Sequence, residues 1–299
     1  MNNQTKNKII PWAILVALAI VWGSSFILIK KGLIYFSYIE VGALRITITF
    51  LFLLPFAIKR FKRIPKNKWK WLFVSGFVGN VIPAFLFPIG QTVLDSYITG
   101  ILNSLTPLFT LIVGLIFFKQ KAAWLSFLGV IVALIGAIGL ITSLSEGNVN
   151  LNFLYASFIL IASICYAFNA NIVKTFFQDI DSITITVFAF FTAGFPVVIY
   201  LFFFTGFVNK VAHNPALWEG IGYVTILSIF GTALALMLFN RLIQITNAVF
   251  SSSVTYLIPV VAIIFGIIDG EKFGIFSLVW ILLILGGVFL VNSRYKKKL

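Results

Sequence analysis

The sequence predicts an all-α membrane protein, with ten transmembrane helices arranged as two inverted five-helix repeats around a central cavity. Three observations predict it. The chain is almost continuously apolar from Ile9 to Asn292, its cations are distributed unevenly across the breaks, and a faint repeat relates its halves.

Composition comes first, because 61% hydrophobic residues, 10% charged residues and a mean hydropathy of +1.08 exclude a soluble globular chain. Lipid offers no hydrogen-bond partner to a bare peptide group, so each apolar span of roughly twenty residues must close its own backbone bonds as a helix. Reading the apolar windows between charged or turn-like breaks places helix one at Ile9–Ile29, two at Tyr38–Ile58, three at Trp71–Val93, four at Ser96–Phe118 and five at Ala123–Thr142. Helix six covers Phe153–Phe176, seven Ser182–Phe204, eight Leu217–Asn240, nine Ala248–Ile268 and ten Phe273–Val291. The run Ile9–Ile29 exceeds the apolar core of a signal peptide and is expected to be a retained helix.

Orientation follows from the cations, which are kept on the cytoplasmic side. With the N-terminus inside, the inner segments hold Lys6, Lys8, the cluster Lys59 to Lys70, Lys119, Lys121, Lys174, Arg241 and the tail Arg294 to Lys298. The outer segments hold only Lys30, Lys31, Lys210 and Lys272. Both termini are therefore expected in the cytoplasm, the protein being multi-pass in the inner (plasma) membrane. The formal net charge of +14 then reflects topology. The lipid bilayer and a small-molecule substrate are the expected partners, nucleic acid is not, and the basic loop between helices two and three faces anionic lipid. Cys165 in mid-span and His213 in a polar connection build no disulfide framework or metal site, and no cofactor is expected. A monomer or weak homodimer is expected.

The internal repeat is weak at each position but orderly. At an offset of 144 residues, Trp22 to Lys30 lies over Tyr166 to Lys174; at 152, Gly79, Pro107 and Gly114 fall on Gly231, Pro259 and Gly266. The predicted units are residues 1–148 and 149–299 within one integrated transmembrane domain. Five helices is an odd number, so the second unit enters the membrane from the opposite face.

With these motifs in view, the chain resembles the EamA-type carriers of the drug/metabolite transporter superfamily. Trp22-Gly23-Ser24-Ser25-Phe26 with Lys30, Arg45, Pro107 with Gly114, and Pro259 with Gly266 and Gly270-Glu271 carry the likeness. The resemblance implies a secondary transporter, commonly an exporter, of amino acids or other small metabolites, with a cavity walled by helices one, three, four, six, eight and nine. Where the family often has an acidic residue after helix four, this chain reads Phe118-Lys119-Gln120-Lys121.

Polar side chains inside a span need protein or water around them, and so mark the bundle interior. Candidate substrate-binding residues are Trp22, Ser25, Asn80, Asn103, Thr106, Tyr166, Asn169, Thr255 and Tyr256, a mixture of amides, hydroxyls and aromatic faces suited to a polar or amphipathic solute. Any of the hydroxyls serves helix packing equally well, whereas a mid-span Asn carries donors and an acceptor that its own helix cannot satisfy. Arg45 is a cation well inside helix two, to be paired with Glu40, Asp95 or Glu271 or to recognise substrate. With Glu40, Lys30 and Lys174 it forms the candidate gating or ion-pair set. The eight acidic residues lie at or near the membrane edges, which disfavours coupling through a deeply buried acid.

No catalytic residue is expected, since the chain contains no HExxH, no Gly-x-Ser-x-Gly and no GxxxxGK[ST] loop. Transport by alternating access between inverted repeats is the leading reading. The alternatives are a lipid-intermediate flippase or passive facilitator and, behind these, a membrane-embedded enzyme.

Overall fold

The computed structural model describes residues 3–61, 64–119, 124–143, 149–246, 248–271, 274 and 277–292. Among them the chain is helical, without strands. In order it forms α1 (Asn3–Tyr35), α2 (Tyr38–Arg60), α3 (Lys66–Gln91), α4 (Ser96–Phe118), α5 (Trp124–Ser143), α6 (Val149–Phe176), α7 (Ser182–Phe204) and α8 (Leu217–Ile245). The last two are α9, made of Ala248–Ser252 and Ile258–Ile268 joined by the 3-10 turn Ser253–Tyr256, and α10 (Ser277–Asn292). A short helix, Phe207–His213, links α7 to α8. Eight helices among the described residues are long and apolar enough to cross a membrane.

Local chemistry sets several boundaries. Ser37 caps α2 in a capping box with Glu40, and Asp181 caps α7 by accepting from the Thr184 amide. Lys119 ends α4 in the left-handed region at φ 53°, turning the chain where another helical residue would continue it. Two expected helices stop too early in the sequence reading. The first runs on to Tyr35 because Lys30 and Lys31 find carboxylates, and α8 runs on to Ile245 because the Gln244 amide donates to the carbonyls of Phe177 and Ile180.

The packing is reciprocal. α1 lies against α8 and α9, while α6 lies against α3 and α4; α2 pairs with α7, α4 with α9 and α5 with α10. Small residues permit the closest approach, and a Cβ on Gly287 of α10 would meet the α5 backbone at Gly129 and Ala133. Outward-facing side chains such as Ile58, Trp124 and Phe203 are large, apolar and exposed, giving the bundle a lipid-compatible exterior.

Candidate functional site

Four helices lose regular α geometry at about the level of the cavity. α3 contains a π-helical stretch at Phe77–Val81 and α8 contains one at Ile229–Leu234. α4 breaks at Ser104 and Leu105 before resuming at Thr106, and α9 breaks through the 3-10 turn Ser253–Tyr256. In each broken helix a proline sits at the start of the next segment, Pro107 in α4 and Pro259 in α9, where its missing N–H has no partner to lose.

The two π stretches share their polar chemistry. A π turn loosens the i to i+4 ladder. In α3 the Asn80 amide donates to the carbonyl of Ser75 at 3.2 Å, and in α8 the Thr232 hydroxyl donates to that of Leu227 at 3.1 Å, each reaching back five residues. One residue before each stands a glycine. Gly79 leaves room for the Asn169 side chain and Gly231 for Ser25, whose Oγ would lie 2.7 Å from an added Cβ. Gly231 also offers its carbonyl to the Trp22 indole N–H at 3.0 Å, fixing α1 to α8.

Around these faults lies a cavity of about 70 Å³, room for roughly five to seven water-sized groups. Its wall includes Trp22, Ser25, Asn80, Asn103, Thr106, Tyr166, Asn169 and Thr255 from the expected set. Tyr256 is not part of it: the 3-10 turn rotates α9 so that Ser252, Val254 and Thr255 face inward. Sequence reasoning missed Phe26, Phe87, Leu236 and Phe239, which supply the apolar lining. Aromatic contacts hold this lining, with Trp22 edge-on to Phe239 at 5.0 Å and Phe87 against Tyr166 at 5.7 Å. The repeated glycines Gly79 and Gly231, both in the wall, were the sequence signal for it.

Arg45 is in the wall as well, making α2 a seventh contributing helix beside the six that the resemblance implied. It is 8% exposed, its Nε donates to Thr232 Oγ1 at 2.8 Å, and the Tyr166 hydroxyl stands beside the guanidinium. The expected ion pairs for it do not form. Glu40 takes Lys210 at 2.6 Å and the Ser37 amide, and Glu271 takes Lys30. Other polar groups of the interior are consumed by the fold, as with the Asn171 amide that bonds the carbonyls of Thr110 and Ala167.

Charged residues gather at the two ends of the bundle. At one end Lys30 meets Asp269 at 2.8 Å and Glu271 at 2.9 Å, and Lys31 meets Asp269 at 2.5 Å. Glu271 also accepts from the backbone N–H groups of Ser96 and Tyr97, so its carboxylate caps the first turn of α4 and its dipole. Hydrogen bonds from Lys30, then Lys31, hold the Asp269 carboxyl below its ordinary range. Burial, and then the Glu271 charge, pushes neighbouring Asp95 up. At the opposite end Lys174 donates to the carbonyl of Thr246 at 2.7 Å, Lys68 pairs with Asp179 at 2.9 Å and Arg60 with Asp181 at 2.6 Å.

A helical membrane bundle that encloses a polar cavity between discontinuous helices has the architecture of a membrane carrier. The sequence places this one more narrowly. Residues 8–142 and 153–293 each match the EamA-like transporter family, and the chain belongs to that family, with two EamA repeats. An uncharacterized transporter of Archaeoglobus fulgidus is 24% identical over 95% of this chain and 99% of its own. A WAT1-related protein of Arabidopsis thaliana is 30% identical over 44% of this chain and 39% of its own. One crystal structure shares the fold at a TM-score of 0.66 and 14% identity, covering 98% of this chain and 99% of its own. The protein is a multi-pass membrane transporter and not an enzyme.

Proposed function

We propose that the protein carries a small organic solute across the plasma membrane by alternating access between two inverted five-helix halves, residues 1–148 and 149–299, ten spans in all with both termini in the cytoplasm. The observation that carries this reading is the pairing of faults around one cavity. The π stretches of α3 and α8 begin 152 residues apart, at Phe77 and Ile229, and the prolines after the breaks of α4 and α9 stand at the same offset. Exchanging the halves also maps the main helix contacts around the cavity onto one another: α1 with α9 becomes α6 with α4, and α1 with α8 becomes α6 with α3. Two such halves rocking about a shared cavity offer two arrangements of similar energy, open to opposite sides.

Export is the direction implied by the family resemblance, and the acidic residues away from the cavity wall favour exchange or coupling at a membrane edge. Purified protein in liposomes should move a labelled solute saturably, with acceleration by the same solute on the far side. Linear, non-saturable uptake would replace the carrier reading with passive facilitation. Asn103→Leu and Asn169→Leu should impair transport while leaving membrane insertion intact, and normal rates in both would remove these amides from the pathway.

A further inference from the structure

We infer that the cavity receives a carboxylate-bearing small molecule with an uncharged, largely apolar body, its carboxylate held by Arg45. The inference rests on the cavity being the solute site proposed above. Arg45 is the charged residue of the described cavity wall, and among the described residues it forms no ion pair. A guanidinium 8% exposed within a span is costly unless an anion or water compensates it. Its orientation is fixed through Nε by Thr232, itself bonded back to Leu227, and the Tyr166 hydroxyl stands beside the guanidinium, whose two terminal nitrogens make no ion pair among the described residues. Those nitrogens present the planar fork that matches a carboxylate.

The neighbouring amides add donors and few free acceptors. The Asn169 oxygen accepts from Ser75 Oγ at 2.6 Å, and the Asn103 oxygen faces the hydroxyls of Thr106 and Ser163. Neither amide nitrogen has a partner among the described residues. Asn80 keeps an unpartnered oxygen, but that atom is closed off by its surroundings. Without a carboxylate in the described wall, a cationic solute meets one positive charge and nothing to offset its own. Phe26, Phe87, Phe239 and Leu236 cover the rest of the molecule.

Three molecules of one skeleton test this: isovalerate, isovaleramide and isoamylamine, titrated against purified protein in lipid nanodiscs, with thermal unfolding as the readout. Isovalerate should bind saturably, at least roughly tenfold tighter than its amide, and the amine should not bind. Arg45→Gln should erase the preference for the acid and Arg45→Lys should retain part of it. Equal binding of acid and amide, preference for the amine, or no binding by any of the three overturns the inference. An acid preference unchanged in folded Arg45→Gln overturns it too. Should Arg45→Gln fail to fold, the comparison among the three molecules on the native protein decides alone. Liposome counterflow tests the carrier reading separately: isovalerate binding without any carrier activity would sink that reading and leave the carboxylate site standing.

Discussion

Lys30 and Lys174 stand 144 residues apart at matching positions of the two repeats, one towards each end of the bundle, and they are held differently. Lys30 meets two carboxylates; Lys174 finds the backbone carbonyls of Ile243 and Thr246 at the end of α8. The cause lies in the partner position. Counting back 152 residues from Glu271 (271 − 152) gives Lys119, so the second repeat has an acid where the first has a cation. The backbone is duplicated but the electrostatics are not. Opposite charges tie α1 to the α9–α10 junction, whereas Lys174, with a cation at the matching position, ties α6 to the end of α8 through hydrogen bonds to neutral carbonyls.

The largest expected effect comes from cutting the ionic tie. The Glu271 side chain is 1% exposed, and Glu271→Ala leaves two amide donors of α4 and one valence of Lys30 unmet. A loss of about 3 kcal/mol is expected, read as a lowered unfolding temperature of the purified protein. Lys174→Met should cost about 1 kcal/mol. Similar losses in the two variants would show that the ionic and neutral ties hold the bundle equally.

The paired π stretches give a finer comparison. In Gly79→Ala the new methyl meets Cβ and Cγ of Asn169, whose amide is pinned by Ser75; in Gly231→Ala it meets the rotatable hydroxyl of Ser25. The first should destabilise by about 2 kcal/mol and the second by about 1 kcal/mol, measured by thermal unfolding. The reverse order would show that Asn169 moves more freely than its contacts suggest.

Acidification acts at both ends. Lys30 and Lys31 depress Asp269, and Lys68 depresses Asp179 by hydrogen bonding, so both carboxylates stabilise the fold above their ordinary value of 3.8. That contribution is lost as pH falls through their lower folded values. Asp95 has the opposite sign. Burial raises it, so its favourable contribution is complete below 3.8 and fades as pH rises through its folded value. Asp95→Asn should therefore raise stability at pH 7 by a few tenths of a kcal/mol and give no gain in acid. A gain of equal size at both pH values, in unfolding scans across pH, would remove Asp95 from the titrating set.

Much of the helix layout was legible because lipid makes hydropathy a direct constraint. The ends of α4 and α7 match the sequence reading, since Asp95 and Asp181 interrupt otherwise apolar runs. The ends of α1 and α8 did not, because the cations Lys30 and Arg241 read as breaks, while the contacts that Lys30 and Gln244 make far along the chain are invisible to local pattern. Within the site, composition along single spans pointed to the amides and to Arg45. It could not tell a cavity-facing Asn169 from a structural Asn171 two residues on, for both are buried polar groups in one helix. Nor does any local pattern assign Glu271 to Lys30 or Thr232 to Arg45, contacts that span 241 and 187 residues. The π stretches left only the recurring glycines as a trace.

Each of those loosened turns amounts to a helix carrying one surplus residue. If the surplus migrates a single position along the axis, the side chain it passes swings by about 100°, while both ends of the helix stay where the membrane surfaces hold them. α3 and α8 can thus re-aim individual wall residues without lengthening, shortening or unwinding.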